Sequence, residues 1–171
     1  MFEQITILGS GLLGASLAMS IHHAKIAQSI TIWARRKETV DLCSSKTWCQ
    51  HGEENLEKSV IGSNLVIICT PVETIGGIIR QIAPYLEKGT LVTDVGSVKK
   101  QICLDCEEAI KSSEGIFIGS HPMAGSEKSG MGFATKELVN GKSRIITPMK
   151  DAPVKYIHKL EEFWKALKMI V

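Results

Sequence analysis

The sequence has few aromatic residues, few prolines and no long apolar run. Aromatic side chains make up 5% of the 171 residues, and there are five prolines. No apolar run reaches the roughly 20 residues that a helix needs to cross a bilayer. The first residues, Met1-Phe2-Glu3-Gln4, lack the charged and apolar regions of a signal peptide. We therefore expect a cytoplasmic protein that does not bind a membrane.

An excess of either charge is also missing. Twenty basic residues stand against 18 acidic ones, a formal net charge of +2. Proteins that bind nucleic acid through charge usually carry a clear basic excess, so we do not expect nucleic acid as a partner. The content of 44% apolar and 22% charged residues is typical of a globular protein. The length predicts one ordinary domain over residues 1–171.

The five cysteines are odd in number and scattered, which favours reduced thiols over a disulfide framework. Cys103 and Cys106 have C-x-x-C spacing, but they fall in a predicted helix. No second Cys or His pair lies at zinc-finger distance. We interpret them as two helical cysteines one turn apart and predict no metal site.

Glycines follow directly after the first apolar run, over 5–8, in Gly9-Ser10-Gly11-Leu12-Leu13-Gly14, and a helical pattern comes next. A G-x-G-x-x-G segment between a strand and a helix is typical of dinucleotide sites, although a structural turn is the alternative. Gly9 permits the tight turn, Gly11 lets a pyrophosphate approach the backbone, and Gly14 lets helix and strand pack closely. The free N–H groups of the helix would bind the phosphates.

No carboxylate stands at the end of the second predicted strand, over 29–33. An NAD site places an acid on the ribose 2′-OH about 20 residues after the glycines, whereas an NADP site offers Arg to the 2′-phosphate. Ala34-Arg35-Arg36-Lys37 occupies that place. Because the basic cluster follows a dinucleotide-binding glycine motif, it favours NADP as the cofactor. The simpler alternative is that these residues are a run of charges exposed to solvent.

Two further apolar runs, over 64–69 and 90–94, predict buried parallel strands and, with the first two, a Rossmann-type doubly wound α/β fold with a mostly parallel sheet. Thr70-Pro71-Val72-Glu73 predicts a capping box with Thr70 as N-cap and Pro71 at the first helical position. This turn and Gly96 lie at carboxyl ends of strands, where a cofactor binds. Ser97 is placed to cap the next helix, and its hydroxyl could contact substrate or nicotinamide.

A predicted strand over 115–119 leads into a long loop over 120–132 that has His121 at its start. Long irregular loops in compact domains often carry function. His121 directly follows a strand at the ligand-binding edge, and a neutral imidazole can accept a proton near pH 7. Beyond the loop, the patterns predict a strand over 144–147, a helix over 153–167 and a strand that begins at Met169.

Four motifs resemble those of the prephenate and arogenate dehydrogenases of tyrosine biosynthesis, in that family's order. The last two are highly specific, and the resemblance covers essentially the whole chain as the nucleotide-binding half of such an enzyme. The motifs are Gly9-x-Gly11-Leu12-Leu13-Gly14-x-Ser16-Leu17-Ala18, Thr70-Pro71-Val72, Thr93-Asp94-Val95-Gly96-Ser97-Val98-Lys99 and Gly119-Ser120-His121-Pro122-Met123-Ala124-Gly125-Ser126-Glu127-Lys128-Ser129-Gly130.

The resemblance implies an oxidoreductase that oxidatively decarboxylates prephenate or arogenate. Hydride leaves ring carbon C4 for the nicotinamide, CO₂ leaves C1, and the ring becomes aromatic. His121 would take the proton of the 4-hydroxyl group, Ser97 would hydrogen-bond that hydroxyl, and Glu127 would gate the site or hydrogen-bond the substrate. The cofactor implied is NADP, with NAD second, because Ala34-Arg35-Arg36 resembles the NADP-using members.

The sequence departs from the family in lacking its helical C-terminal domain. In the family that domain dimerises the protein and supplies an arginine and a histidine to the site. We therefore expect cofactor binding with little or no turnover by this chain alone, and a helical domain or second chain as the partner that completes the site. The alternatives are a β-hydroxyacid dehydrogenase, which would need a lysine on a later helix, and a nucleotide-binding regulatory module without catalysis.

Overall fold

Six parallel strands form the main sheet of the computed structural model, which describes residues 2–170. Their order in the sheet is β3-β2-β1-β4-β5-β6, so the direction of winding reverses between β1 and β4. This order is that of a doubly wound Rossmann-type sheet, and the predicted fold class is confirmed. The strands are β1 (Phe2–Leu8), β2 (Ala27–Trp33), β3 (His51–Glu53), β4 (Leu65–Ile68), β5 (Leu91–Asp94) and β6 (Ile116–Phe117).

Helices connect the strands of the main sheet, and one more helix lies near the end of the described chain. The helix predicted over 153–167 is present as the last of them. No helix within residues 2–170 combines the length and apolar character that crossing a membrane requires. The helices are α1 (Leu12–His23), α2 (Lys37–Ser44), α3 (Leu56–Ser59), α4 (Val72–Ile82), α5 (Lys99–Ile110) and α6 (Val154–Ala166).

The side chains of the central strands alternate between two apolar cores, one on each face of the sheet. Ile5 and Ile7 of β1 belong to the core that includes residues of α1 and α6. Leu8 belongs to the other core, which includes residues of α4 and α5. Because both faces of these strands are buried, their sequences are nearly unbroken apolar runs rather than alternating ones.

A second, two-stranded sheet corrects the prediction for the region of His121. The expected strand over 115–119 is divided into β6 and a separate strand β7 (Gly119–Pro122), which pairs antiparallel with β8 (Arg144–Thr147). His121 therefore lies inside β7, opposite Ile145, and not in a loop. The division occurs where β5 ends, because the Ser120 amide donates to the Asp94 carboxylate instead of continuing a backbone ladder.

The chain after α6 returns to the second sheet. Ile170 forms an isolated parallel bridge with Ser143, beside the start of β8. This bridge begins the strand that was predicted from Met169 onward. Val171, the last residue of that prediction, lies outside the described residues.

Two predicted helix caps are wrong. The N-cap of α4 is Pro71 in an extended conformation, and no side chain caps the helix. Pro71 has ψ 143°, which is outside the helical region, so the helix begins one residue later than predicted, at Val72. The Thr70 hydroxyl accepts a hydrogen bond of 2.9 Å from the Thr74 hydroxyl instead of capping the helix. The N-cap of α5 is Val98 and not Ser97, again without a side-chain hydrogen bond.

Candidate functional site

The glycine-rich turn after β1 is shaped by close backbone contacts at two of its three glycines. Gly9 has φ +109°, and a Cβ there would lie 3.0 Å from the Cys69 carbonyl oxygen. A Cβ on Gly14 would lie only 2.0 Å from the Gly9 carbonyl oxygen. Both positions therefore require glycine for the fold itself.

Gly11 is different, because a Cβ at this position would meet no atom within 4 Å. Its φ of −66° is one that any residue adopts. Gly11 is exposed, and it precedes the first turn of α1, whose N-terminus has no side-chain cap. The first helical hydrogen bond here runs from the Ala15 amide to the Gly11 carbonyl. The amides of the first turn are therefore free to bind an anion.

A cavity of about 630 Å³ opens in front of this turn, between β1 and β4 where the strand order reverses. We call it the switch-point cavity. Ligands of doubly wound sheets bind at this position. Eight of the residues predicted to bind a cofactor line it: Gly9, Ser10, Gly11, Ala34, Arg35, Arg36, Thr70 and Pro71.

Five other predicted cofactor residues do not line this cavity. Leu12 and Leu13 are partly buried in α1, and Gly14 is buried beneath the Gly9 carbonyl. Val72, the first residue of α4, packs against the core that contains the other residues of this helix. Gly96 is buried, and a Cβ there would lie 2.6 Å from the side chain of Ile102.

One face of α4 forms a wall of the cavity that the sequence reasoning missed. Thr74, Gly77, Ile78 and Gln81 line it at the spacing of one helix face. Gly77 is exposed, and a Cβ there would meet nothing within 4 Å. The sequence signal for this wall was Gly77, a glycine in the middle of a predicted helix, where glycine is unfavourable. The other missed lining residues are Trp33, Thr39, Leu56 and Cys69.

The basic cluster after β2 stands at the opposite wall. Arg35 and Arg36 are exposed, and neither forms an ion pair within residues 2–170. Lys37 differs, since it lies 3.5 Å from Asp41 and 3.9 Å from Glu54. The two guanidinium groups are therefore available to an anionic ligand.

The floor of the cavity contains a thiol that is held protonated. Cys69 follows β4, and burial raises the pKa of its thiol, with a further contribution from the negative charge of Asp94. Since the thiolate is the nucleophilic form, this cysteine is an inert part of the cavity wall.

The residues predicted to carry the chemistry lie outside the switch-point cavity. We call Ser97, His121 and Glu127 the β7 region. His121 is half-buried within β7, whereas Ser97 and Glu127 are exposed. No hydrogen bond joins any two of these three side chains in the part of the chain that the structure describes. Ser97 and His121 are held near the end of β5 by the contacts that Asp94 makes with Gly96 and Ser120.

Exposed apolar residues adjoin His121 in the β7–β8 ladder and Ser97 in the sequence. Ile145, opposite His121 in the ladder, is 50% exposed, and Val98 and Met123 are each 56% exposed. Grouped exposed apolar side chains beside polar groups often mark an interaction site.

Comparison with known proteins places this geometry in one family. Residues 20–171 match the model of the prephenate dehydrogenase nucleotide-binding domain. Among curated proteins, the prephenate dehydrogenase of Lactococcus lactis is 31% identical over 85% of this chain and 41% of its own length. The cyclohexadienyl dehydrogenase of Zymomonas mobilis is 25% identical over 97% of this chain and 56% of its own length.

A solved structure gives the same result. The crystal structure of Aquifex aeolicus prephenate dehydrogenase in complex with hydroxyphenyl propionate and NAD⁺ matches with a TM-score of 0.91 and 26% identity. The match covers 100% of this chain and 59% of that one. This chain thus spans about half the length of its relatives, and it belongs to the family of prephenate dehydrogenase nucleotide-binding domains.

Proposed function

We propose that the chain is the NADP-binding and proton-accepting part of an oxidoreductase that oxidatively decarboxylates prephenate or arogenate. Residues 1–171 would form one dinucleotide-binding domain. The observation that carries the proposal is the switch-point cavity. It is lined by the glycine turn that precedes the free amides of α1 and by Arg35 and Arg36, which form no ion pair among the described residues. The related Aquifex aeolicus enzyme, which has NAD⁺ and an aromatic acid bound, supports it.

The cavity fits a nicotinamide dinucleotide in shape and charge. The missing Cβ of Gly11 leaves open space beside the free amides of α1, where a pyrophosphate can approach the backbone. The α4 wall around Gly77 leaves room for a flat base at the other end. When bound, the nicotinamide would supply the acceptor for a hydride.

The preference for NADP over NAD rests on Arg35 and Arg36. Both are exposed on the cavity wall, and their positive charges have no carboxylate partner among the described residues. A 2′-phosphate would provide charge-assisted, bidentate hydrogen bonds to a guanidinium group. NAD is the second choice, since the Aquifex aeolicus relative has NAD⁺ bound.

His121 would accept the proton of the substrate's 4-hydroxyl group as the C4–H bond breaks. An imidazole can take up a proton in the physiological pH range, and half-burial in β7 keeps the ring fixed but reachable. Ser97 would hydrogen-bond the same hydroxyl. Exposed Glu127, five residues after β7, would contact or gate the substrate.

The β7 region needs a cover before it can exclude water. Ile145 opposite His121, Met123 two residues after it and Val98 next to Ser97 are exposed apolar side chains that a helical domain or a second chain would bury. We therefore propose that this chain alone turns over its substrate weakly or not at all. We also propose a cytoplasmic location, because all five cysteines are free thiols.

Calorimetric titration of the chain with NADP⁺ and with NAD⁺ tests the cofactor site. We expect NADP⁺ to bind several-fold more tightly, and binding of neither would contradict the proposal. Turnover is then measured after the helical domain of a relative is supplied, with prephenate and arogenate compared as substrates. Tight NADP⁺ binding without turnover in that assembled protein would favour a regulatory nucleotide-binding module instead.

A further inference from the structure

A single buried carboxylate connects the segments that carry Ser97 and His121. Asp94, at the end of β5, is 0% exposed. One of its oxygens, Oδ2, accepts a hydrogen bond of 2.8 Å from the Gly96 amide and an ion-paired hydrogen bond from Lys99. The other, Oδ1, accepts a 3.2 Å hydrogen bond from the Ser120 amide. A buried carboxylate needs such partners, and here they come from two separate segments.

Lys99, the first residue of α5, contacts both Asp94 and the segment that carries His121. Its side chain is 15% exposed, and its ammonium group also donates to the Ser120 carbonyl oxygen at 2.7 Å. The Ser120 hydroxyl donates to the Asp94 carbonyl at 2.9 Å and lies 2.7 Å from the Thr93 hydroxyl. The amide, carbonyl and hydroxyl of Ser120 are therefore all held, and His121 is the next residue.

A glycine lies in each segment where it passes Asp94. A Cβ on Gly96 would lie 3.1 Å from Asp94 Oδ2, so the carboxylate leaves little space for a larger residue there. A Cβ on Gly119 would lie 3.6 Å from Oδ1, an ordinary contact, but 2.9 Å from the Cys103 sulfur. Since a buried ion pair often adds little net stability compared with apolar residues of equal volume, stability alone does not explain this arrangement.

We propose that Asp94 and Lys99 are positioning residues that hold Ser97 and His121 at a fixed separation. The inference rests on the proposed function, in which both groups act on one substrate hydroxyl. Ser97 lies between Gly96 and Lys99, which both contact the carboxylate, and His121 adjoins Ser120, which contacts it as well. Neither Asp94 nor Lys99 lines the switch-point cavity, so neither is a direct contact of a ligand bound there.

The test uses nuclear magnetic resonance on the whole chain. The ring signal of His121 is assigned by its disappearance in His121→Asn, and the other four histidines serve as internal references. In Lys99→Met we expect that ring signal and the Ser97 and Ser120 amide signals to shift. The Ser120 amide should exchange at least about tenfold faster, since loss of a charged hydrogen bond changes local opening by that much. Lys99→Arg should restore the wild-type signals.

Two further variants separate positioning from stability. Asp94→Asn combined with Lys99→Met leaves no lone buried charge, so it should fold even where a single variant does not. It should still shift the His121 signal. Lys37→Met, which removes an exposed ion pair, should leave the His121 signal unchanged.

The outcome can be distinguished from failure of the proposed function. The NADP⁺ affinity of each variant is measured by calorimetry as a separate readout, because Asp94 and Lys99 do not line the switch-point cavity. If the wild-type chain does not bind NADP⁺, the proposed function fails, and the His121 signals still decide the positioning role. If melting temperature falls while the His121, Ser97 and Ser120 signals stay at their wild-type positions, Asp94 and Lys99 are only structural.

Discussion

The switch-point cavity and the β7 region are built in different ways. The cavity is enclosed by β1, β2, β4 and α4 of the main sheet and its helices, and backbone contacts at Gly9 and Gly14 determine its shape. The β7 region lies on a separate two-stranded sheet beside exposed apolar side chains, and its segments are held from beneath by Asp94. The comparison shows that backbone contacts within the main sheet shape the cavity, whereas the β7 region depends on polar contacts with one buried carboxylate.

The largest expected effect is a loss of turnover without a loss of cofactor binding. His121→Asn should lower turnover of the assembled two-domain enzyme by about 10²- to 10⁴-fold, since that is the usual contribution of a general base. NADP⁺ affinity of the chain should be unchanged, because His121 does not line the cavity. Steady-state kinetics and calorimetry measure the two quantities. His158→Asn, an exposed histidine on α6, is the matched control, and undiminished turnover in His121→Asn would exclude this residue as the base.

A second prediction separates two glycines of the turn: Gly14 is needed for stability, whereas Gly11 is needed for cofactor binding. Gly14→Ala should lower the free energy of unfolding by about 3 kcal/mol, because its Cβ would lie 2.0 Å from a backbone oxygen that cannot move away. Gly11→Ala should change it by less than about 1 kcal/mol yet weaken NADP⁺ binding about tenfold or more. Urea unfolding and calorimetry measure both effects. Equal stability losses in the two variants would contradict the division.

Cofactor choice should depend on the two unpaired arginines. Replacing Arg35 and Arg36 together by Ser should weaken NADP⁺ binding about ten- to one-hundredfold, the value of one charged contact to a phosphate. NAD⁺ binding should change much less, because it lacks the 2′-phosphate. Lys37→Ser is the control, since Lys37 already contacts Asp41 and Glu54. Parallel losses for NADP⁺ and NAD⁺ would show that the arginines do not contact the 2′-phosphate.

Buried thiols should make the protein less stable in alkali. Burial raises the pKa of Cys106, in α5 beneath β7, to about 12. The unfolded chain loses this proton above pH about 8.5 while the folded chain keeps it, so stability decreases as pH rises. In Cys106→Ala the decrease between pH 8.5 and 10 should be smaller by up to about 1.4 kcal/mol per pH unit. Urea unfolding at each pH checks this, and identical slopes would disprove it.

The smallest effect concerns two adjacent glycines of α4. Gly77→Ala should raise the free energy of unfolding by about 0.5–1 kcal/mol, because alanine favours a helix and its Cβ would meet nothing within 4 Å. It should also weaken nucleotide binding, because the new methyl group enters the cavity. Gly76→Ala is the control, since its Cβ would lie 3.0 Å from Asp105. Stronger NADP⁺ binding in Gly77→Ala would exclude this face as a ligand contact.

The sequence predicted those parts of the cavity that depend on local backbone geometry. The strand, glycine turn and helix predicted over residues 5–18 are confirmed, and they extend from Phe2 to His23. Apolar period and glycine placement are properties of neighbouring residues, so the sequence carries this information. The α4 wall was missed, because which face of α4 borders the cavity depends on how this helix packs on the sheet. The caps at Thr70 and Ser97 were wrong because α4 and α5 each begin one residue later than predicted, at Val72 and Lys99. Capping preferences indicate that a helix starts nearby but do not fix its first residue.

By itself, the sequence determined the doubly wound order of elements, the glycines that the turn requires and the absence of an acid after β2. These follow from local sterics and from the burial of both faces of the central strands. Only the tertiary structure decided that His121 lies in a paired strand and that Asp94 holds Ser120, 26 residues away. Such contacts depend on how close the end of β5 lies to β7 in space. The periodicity of apolar residues carries no information about that spatial distance.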